Sequence, residues 1–237
     1  MIIGLKTSRN NSLCKLNLRM DGADNGTTFT DSSPSGKTVS NTGIVTKTGV
    51  KKFGTASAYR TGATTSNRLS VPDTSDLYAN KKFAISVWCY FTDITTSTAQ
   101  RRTILFYGRN DTGVNYYFWY DTNQTPDHLT CLFGCNNAHP IYLDYAIGLS
   151  INTWYHIEVD IIYPNAIMFL DGLKVAEVTI DANYSAKINA NELLYITTRK
   201  LNATSYDCRY WGYMDSLEIH QGKYLHKSNF TPPNRAA

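Results

Sequence analysis

The sequence predicts an all-β protein built as a sandwich or barrel, and three observations carry that prediction. Short apolar runs recur at fairly even intervals, with clusters of turn residues between them. Aromatic residues make up 13% of the 237-residue chain, with 17 Tyr, and aromatic and β-branched side chains pack well on a pleated surface. No long stretch repeats with a helical period, and the Ala, Leu, Glu and Lys excess of a helical bundle is missing.

The elements follow in order. Residues 15–20 form the first strand, stopped by "DGADNG" (21–26), and "SSPSG" (32–36) marks a further turn. In "KFGTASAYR" (52–60) small residues alternate with larger ones, as in a strand that another backbone approaches closely. Strands at 67–71, 83–91 and 103–107 lead to the turn "GRNDTG" (108–113); strands at 115–120, 129–133 and 141–145 follow. In "TWYHIEVDII" (153–162), Tyr155, Ile157, Val159 and Ile161 share an apolar face, and Trp154, His156, Glu158 and Asp160 share the other. The apolar face belongs against a second sheet, and the mixed face is expected to look toward solvent or a shallow groove. "YPN" (163–165) turns the chain into a strand at 166–170. Asp171-Gly172 is a two-residue hairpin signal leading to a strand at 174–180. Residues 185–192 read as a loop or one helical turn, and strands at 193–198 and 209–219 end the series.

Composition limits the function. Charged residues are only 18%, and the net charge of +4 is spread over pairs such as Lys51-Lys52, Lys81-Lys82 and Arg101-Arg102 in expected turns. A nucleic-acid reader shows a concentrated basic face, so no nucleic-acid partner is expected. The opening "MIIGLKTSRNNSLCKL" lacks the apolar centre of a secretory signal, and no window approaches the ~20 apolar residues of a membrane span. The expectation is a chain neither exported by that route nor inserted in a membrane. Five cysteines, an odd number, argue for reduced thiols packed as small apolar groups over a fully paired disulfide framework. No composition break suggests a linker. One domain is expected at 16–233, with 1–15 as an N-terminal arm and candidate docking segment and 234–237 as a tail.

Six stretches, taken in order, bear on the family: "LNLRMDGADNGTTFTDSSPSGKTV" (16–39), "KKFGTASAYRTGATTSNRLSVPDTSDL" (51–77), "FAISVWCYFT" (83–92), "NTWYHIEVD" (152–160), "IMFLDGLKVA" (167–176) and "YWGYMDSLEIHQGKYLHKSNFTPP" (210–233). Together they resemble the laminin-G-like domains of the concanavalin-A-like lectin/glucanase superfamily. The version nearest in style occurs in bacteriophage virion proteins, where a domain ends in a segment like "GYMDSLEI…YLHKSNFTPP". The resemblance implies an antiparallel two-sheet jelly-roll β-sandwich whose first and last strands lie close together. It implies a non-catalytic protein made in the host cytoplasm and carried on the virion, in capsid decoration or in a head or tail fibre. Its partners would be capsid or tail proteins and, in a lectin-like receptor-binding alternative, cell-surface glycans.

The resemblance also bears on cofactors and catalysis. Some relatives hold a structural calcium ion with acidic side chains near the paired termini, where Asp21 and Asp215 fall. Calcium takes about six to eight oxygens and the sequence clusters few carboxylates, so the other reading has Asp21 and Asp24 opening a Gly-rich turn. The glucanase branch carries Glu-x-Asp-x-Glu or Glu-x-Asp-x-x-Glu on one strand. Glu158-Val-Asp160 starts that pattern, but Ile162 and Tyr163 stand where the third carboxylate belongs. The opposed carboxyl pair of retaining hydrolysis is incomplete, and no enzyme is expected.

Two constellations come from the residues themselves. His128, Cys131, Cys135 and His139 are spaced as H-x2-C-x3-C-x3-H, thiols and imidazoles of the kind zinc takes. On an extended strand the two cysteines lie roughly 13 Å apart at about 3.3 Å per residue, so a tetrahedral site needs a sharp bend at Gly134. Packed cysteines and loop histidines are the default. "NYYFWYD" (115–121) sets Tyr117 and Trp119 on one face, and "IYLDY" (141–145) sets Tyr142 and Asp144 on one face. Exposed aromatic rings beside acceptors suit sugar stacking, which makes these four the carbohydrate-binding candidates, with buried aromatics the alternative.

Overall fold

The computed structural model describes residues 11–60, 64, 66–94, 101–136 and 139–234. Its strands begin with β1 (Cys14–Leu18), β2 (Ser40–Thr42), β3 (Ile44–Lys47), β4 (Ser57–Arg60), β5 (Arg68–Val71) and β6 (Lys82–Phe91). They continue with β7 (Arg101–Arg109), β8 (Gly113–Asp121), β9 (His128–Phe133), β10 (Ile141–Ala146), β11 (Trp154–Ile162) and β12 (Asn165–Leu170). The last are β13 (Leu173–Thr179), β14 (Leu194–Ile196), β15 (Arg199–Lys200), β16 (Tyr206–Asp207) and β17 (Gly212–Gln221). One sheet of eight strands runs β13-β12-β11-β6-β17-β4-β3, with β1 also paired to β17, and one of seven runs β10-β9-β8-β7-β14-β5-β2. β15 and β16 form a separate ribbon. Pairing is antiparallel throughout both sheets. The arrangement is a jelly-roll sandwich.

Period two explains the core. Ile157, Val159 and Ile161 of β11, Phe83, Ile85 and Val87 of β6, and Leu217 and Ile219 of β17 point inward from the larger sheet. They meet Tyr116, Phe118 and Tyr120 of β8 and Leu129, Cys131 and Phe133 of β9. Ring pairs tie the layers: Phe83 and Tyr116 are 5.6 Å apart and Phe91 and Tyr120 also 5.6 Å, each pair contributing about 0.5–1.5 kcal/mol beyond its buried area.

Every strand expected from the sequence forms, with ends displaced by a few residues. Asp171 and Gly172 make the β12–β13 hairpin, with φ of 49° and 78°, the left-handed pair of a type I′ turn. Residues 185–192 form no helix; Ala186 instead bridges to Cys135. The strands missed by the sequence, β2, β3, β15 and β16, are two to four residues long, too short to show an apolar pattern. Of the expected arm, residues 1–10 lie outside the described residues, as do 235–237 of the tail. Asn11–Leu13 form a 3-10 turn, and Cys14 is already paired with His220. Among the described residues no helix is long and apolar enough to cross a membrane.

One expectation is corrected. The mixed face of β11 is dry: His156, Glu158 and Asp160 are 0%, 1% and 0% exposed. After β17 the chain turns back over the larger sheet and covers them.

Candidate binding face and the covered opposite face

The outer face of the seven-stranded sheet is set by register. Trp119 of β8 lies opposite Thr130 of β9, which lies opposite Asp144 of β10; Asp121, His128 and Ala146 form the next row. His128 Nδ1 sits 2.5 Å from Asp144 Oδ2, and the Thr130 hydroxyl donates to Asp144 Oδ1 at 2.7 Å. Arg101 reaches in from β7, with Nε donating to Asp121 Oδ2 at 3.1 Å and its guanidinium 5.2 Å from the Trp119 ring centroid. The sequence signal for His128 and Thr130 was alternation along β9; their convergence on Asp144 needed the β9–β10 register.

The four sugar-binding candidates separate here. Tyr142 is 47% exposed and Asp144 is half-buried beside it. Tyr117 and Trp119, at 3% and 4%, are covered. They stack on each other at 4.2 Å in a small cluster with Phe106 and Tyr195. The β15–β16 ribbon lies over this cluster: Arg199 is 5.7 Å from the Tyr117 ring, and Tyr206 packs edge-on against Tyr195 at 5.7 Å. The Tyr142 ring sits 6.4 Å from Trp119. It also borders a cavity of about 330 Å³ at the sandwich edge, between Ile141 of β10 and Val178 and Thr179 of β13 and rimmed by His139 and Asp181.

The outer face of the larger sheet is crossed by residues 222–232. Leu225 and His226 donate backbone N–H groups to Asp160 Oδ1 and Oδ2 at 2.6 and 3.2 Å. His226 Nδ1 lies 2.6 Å from Glu158 Oε1, and the His226 and Phe230 rings stack at 3.5 Å. The Lys174 N–H donates to Asn229 Oδ1, and the Phe230 N–H donates to the Gly172 carbonyl. Burial lifts Glu158 to about 7, with the Glu218 charge adding to it and a hydrogen bond from Asp160 opposing it. Burial first, and then the Glu158 charge, lifts Asp160 to about 8. Burial lowers His156 to about 3, helped by His226 and Lys52. Carboxyl groups covered by their own chain have no open path to a glycosidic oxygen.

The calcium candidates flank the segment 52–55. Asp215 Oδ2 accepts the N–H groups of Lys52 and Phe53 at 2.9 and 3.0 Å, and Asp21 Oδ1 accepts those of Thr55 at 2.5 Å for N–H and 3.1 Å for the hydroxyl. Asp215 Oδ1 has no partner, and burial raises that carboxyl to about 7. N–H groups already hold one oxygen of each carboxyl, which leaves one oxygen on each for an ion that takes about six to eight, so this pair alone does not make a calcium site. Asp24 accepts from Thr48 N–H at 3.1 Å, as a turn residue does. The H-x2-C-x3-C-x3-H set does not converge: Cys131 packs in the core, His128 meets Asp144, and His139 meets Asp181 at 3.4 Å.

The fold has known counterparts. Domain 4 of an extracellular GH43 arabinanase from Geobacillus stearothermophilus, solved with arabinotriose, matches with a TM-score of 0.61 at 16% identity, over 90% of this chain and 94% of that one. The binding domain of botulinum neurotoxin serotype C1 matches with a TM-score of 0.66 at 14% identity, over 91% of this chain and 50% of that one. A structure of botulinum neurotoxin type C, whose cell entry depends on interaction with two ganglioside molecules, gives 0.62 at 14% identity over 91% and 49%. The chain thus spans about half of the toxin binding domains, and at these identities the likeness is one of fold. No curated protein matches the sequence. The family model for the Concanavalin A-like lectin/glucanases superfamily matches residues 62–225, well over half of the chain, and on that match, together with the two-sheet jelly roll, the protein belongs to this superfamily.

Proposed function

We propose that the protein is a non-catalytic adhesion module that binds glycan around Tyr142, and that it serves on a bacteriophage virion as a capsid decoration or a head or tail fibre component. The observation that carries the binding reading is Tyr142 itself. An exposed aromatic ring stands beside the His128–Asp144–Thr130 hydrogen-bonded group and at the mouth of a cavity of sugar-unit size. Such a ring stacks on the apolar face of a pyranose or furanose, while the carboxylate and imidazole take hydroxyl groups. The arabinotriose and ganglioside named with the fold counterparts support a carbohydrate ligand. The non-catalytic reading is supported by the burial of Glu158 and Asp160 under residues 222–232. The virion reading rests on the ordered sequence motifs, above all "GYMDSLEI" and "YLHKSNFTPP".

The test is an array of bacterial polysaccharides with the wild-type chain and Tyr142→Ala. Binding that falls at least about tenfold in the variant, with an unchanged melting temperature, is expected. A blank array, or binding indifferent to Tyr142, removes the glycan reading. Mass spectrometry of purified particles tests the virion role, and a particle lacking this chain ends it.

A further inference from the structure

The larger sheet carries a second group of chemistry-bearing side chains, on β1 and β17. In regular alternation Cys14 would share the inward face of Leu16 and Leu18. The ladder slips between Cys14 and Leu16, so Leu16 still opposes Ile219 while Cys14 opposes His220. A bulge of this kind re-aims one side chain, and here it sets Cys14 among Glu218, His220 and Asn17 on the outer side. The Cys14 Sγ, a Glu218 carboxylate oxygen and a His220 ring nitrogen lie within 4.8 Å of one another.

A second observation points to a ligand. Asn17 is buried at 4% exposure, and its Nδ2 donates to Glu218 Oε1 at 3.4 Å, which aims the carboxamide into this group; yet Asn17 Oδ1 has no partner. His220 is likewise buried. Its Nε2 lies 2.8 Å from Glu218 Oε2, and its Nδ1 has no partner. Folded chains leave few buried polar atoms unpaired, and an orphan on each of the two residues that contact Glu218 needs an explanation.

We infer that Cys14, Glu218 and His220 form a binding site for a borderline divalent transition-metal ion of the zinc type, with the Asn17 carboxamide oxygen or a water completing four ligands. Sulfur, nitrogen and oxygen donors together suit zinc over calcium or magnesium. In a tetrahedral zinc site the donor atoms are roughly 3.3–3.8 Å apart, given bonds of about 2.0–2.3 Å, so side-chain adjustments bring this group to a ligand set. On binding, the Cys14 thiol loses its proton to solvent and the S–metal bond forms. Burial, with the charge of Glu218, pushes that thiol up to about 12, and a divalent cation reverses the balance. The Glu158, Asp160 and His226 group is equally close-set, but there backbone N–H groups, fixed by the fold, hold both Asp160 oxygens, whereas the donors on Glu218 are the side chains of Asn17 and His220, which can turn. The site is independent of the glycan reading, since it lies on the opposite sheet.

The test uses the metal-stripped full chain and Co²⁺ or Zn²⁺ alone. One equivalent of Co²⁺ is expected to give a thiolate-to-cobalt charge-transfer band that persists in Cys135→Ser and is lost in Cys14→Ser. Glu218→Gln, which keeps shape and hydrogen bonding and so does not hang on Cys14→Ser folding, is expected to weaken Co²⁺ binding about tenfold or more. Zn²⁺ is expected to raise the melting temperature of the wild type and Cys135→Ser but not of Cys14→Ser. No band and no thermal shift at saturating metal overturns the site. So does a band that survives Cys14→Ser, or one that Glu218→Gln leaves unchanged.

Discussion

Glu158 and Asp160 show how neighbours decide what a residue does. On a wetted strand these groups would ionise at mildly acidic pH; under residues 222–232 both are held protonated toward neutrality. The groups facing them are His226 and Lys223 from the covering segment, Glu218 from β17 and His156 on their own strand. The folded chain binds protons that the unfolded chain releases, so this contribution is complete below about pH 4 and is lost as pH rises through about 7–8. Buried, neutral His156 acts oppositely: the unfolded ring takes a proton below about pH 6.5, and stability falls there. Melting temperature is therefore expected to pass through a maximum on the acid side of neutrality, and Glu158→Gln is expected to flatten the alkaline limb. A flat profile from pH about 6 to 9 in the wild type contradicts this. Trp119 makes the complementary point. Its ring is packed between Tyr117 and Arg101, so Trp119→Ala is expected to cost about 3–5 kcal/mol of stability, measured by denaturant unfolding. Tyr142→Ala leaves stability nearly unchanged.

Among the elements, the segment 222–232 depends on the β12–β13 hairpin. A Cβ on Gly172 would come within 2.0 Å of the Phe230 carbonyl oxygen, and φ there is +78°. Gly172→Ala is expected to carry the left-handed backbone cost of about 1–2 kcal/mol and to dislodge Phe230 as well. Gly36, at φ +54° and with open space for 4 Å around the place a Cβ would take, is the control: Gly36→Ala carries the backbone cost alone. Limited proteolysis near Phe230 is expected to speed up in the first variant and not in the second. Equal protection in both contradicts the anchoring role. The elements were also where the sequence read best. Trp154–Ile162 and the Asp171-Gly172 turn were legible because each rests on a local signal, period two in one and paired left-handed residues in the other. β15 and β16, "RK" and "YD", had no such signal.

For the whole molecule, the two outer faces have separate fates. The larger sheet is covered by residues 222–232, and part of the smaller one by the β15–β16 ribbon, which leaves Tyr142, Asp144 and His128 accessible at the edge. Truncation after Gln221 is expected to lower the melting temperature by uncovering Phe169, Glu158 and Asp160. Glycan binding at Tyr142 should persist below the new transition. Loss of binding while the fold remains intact would show that the two faces are coupled.

The sequence by itself determined the longer strands, the inward face of β11, the hairpin at 171–172 and the all-β class, because side-chain alternation and turn chemistry are properties of a few adjacent residues. It also put Tyr142 and Asp144 on one face. Only the tertiary structure decided which faces are wet. Asp160 is capped by Leu225, 65 positions away, and Tyr117 is covered by Arg199. Cys14 turns outward only through a slip in its pairing with β17. Burial is set by segments that arrive from far along the chain, and no local pattern records where they land.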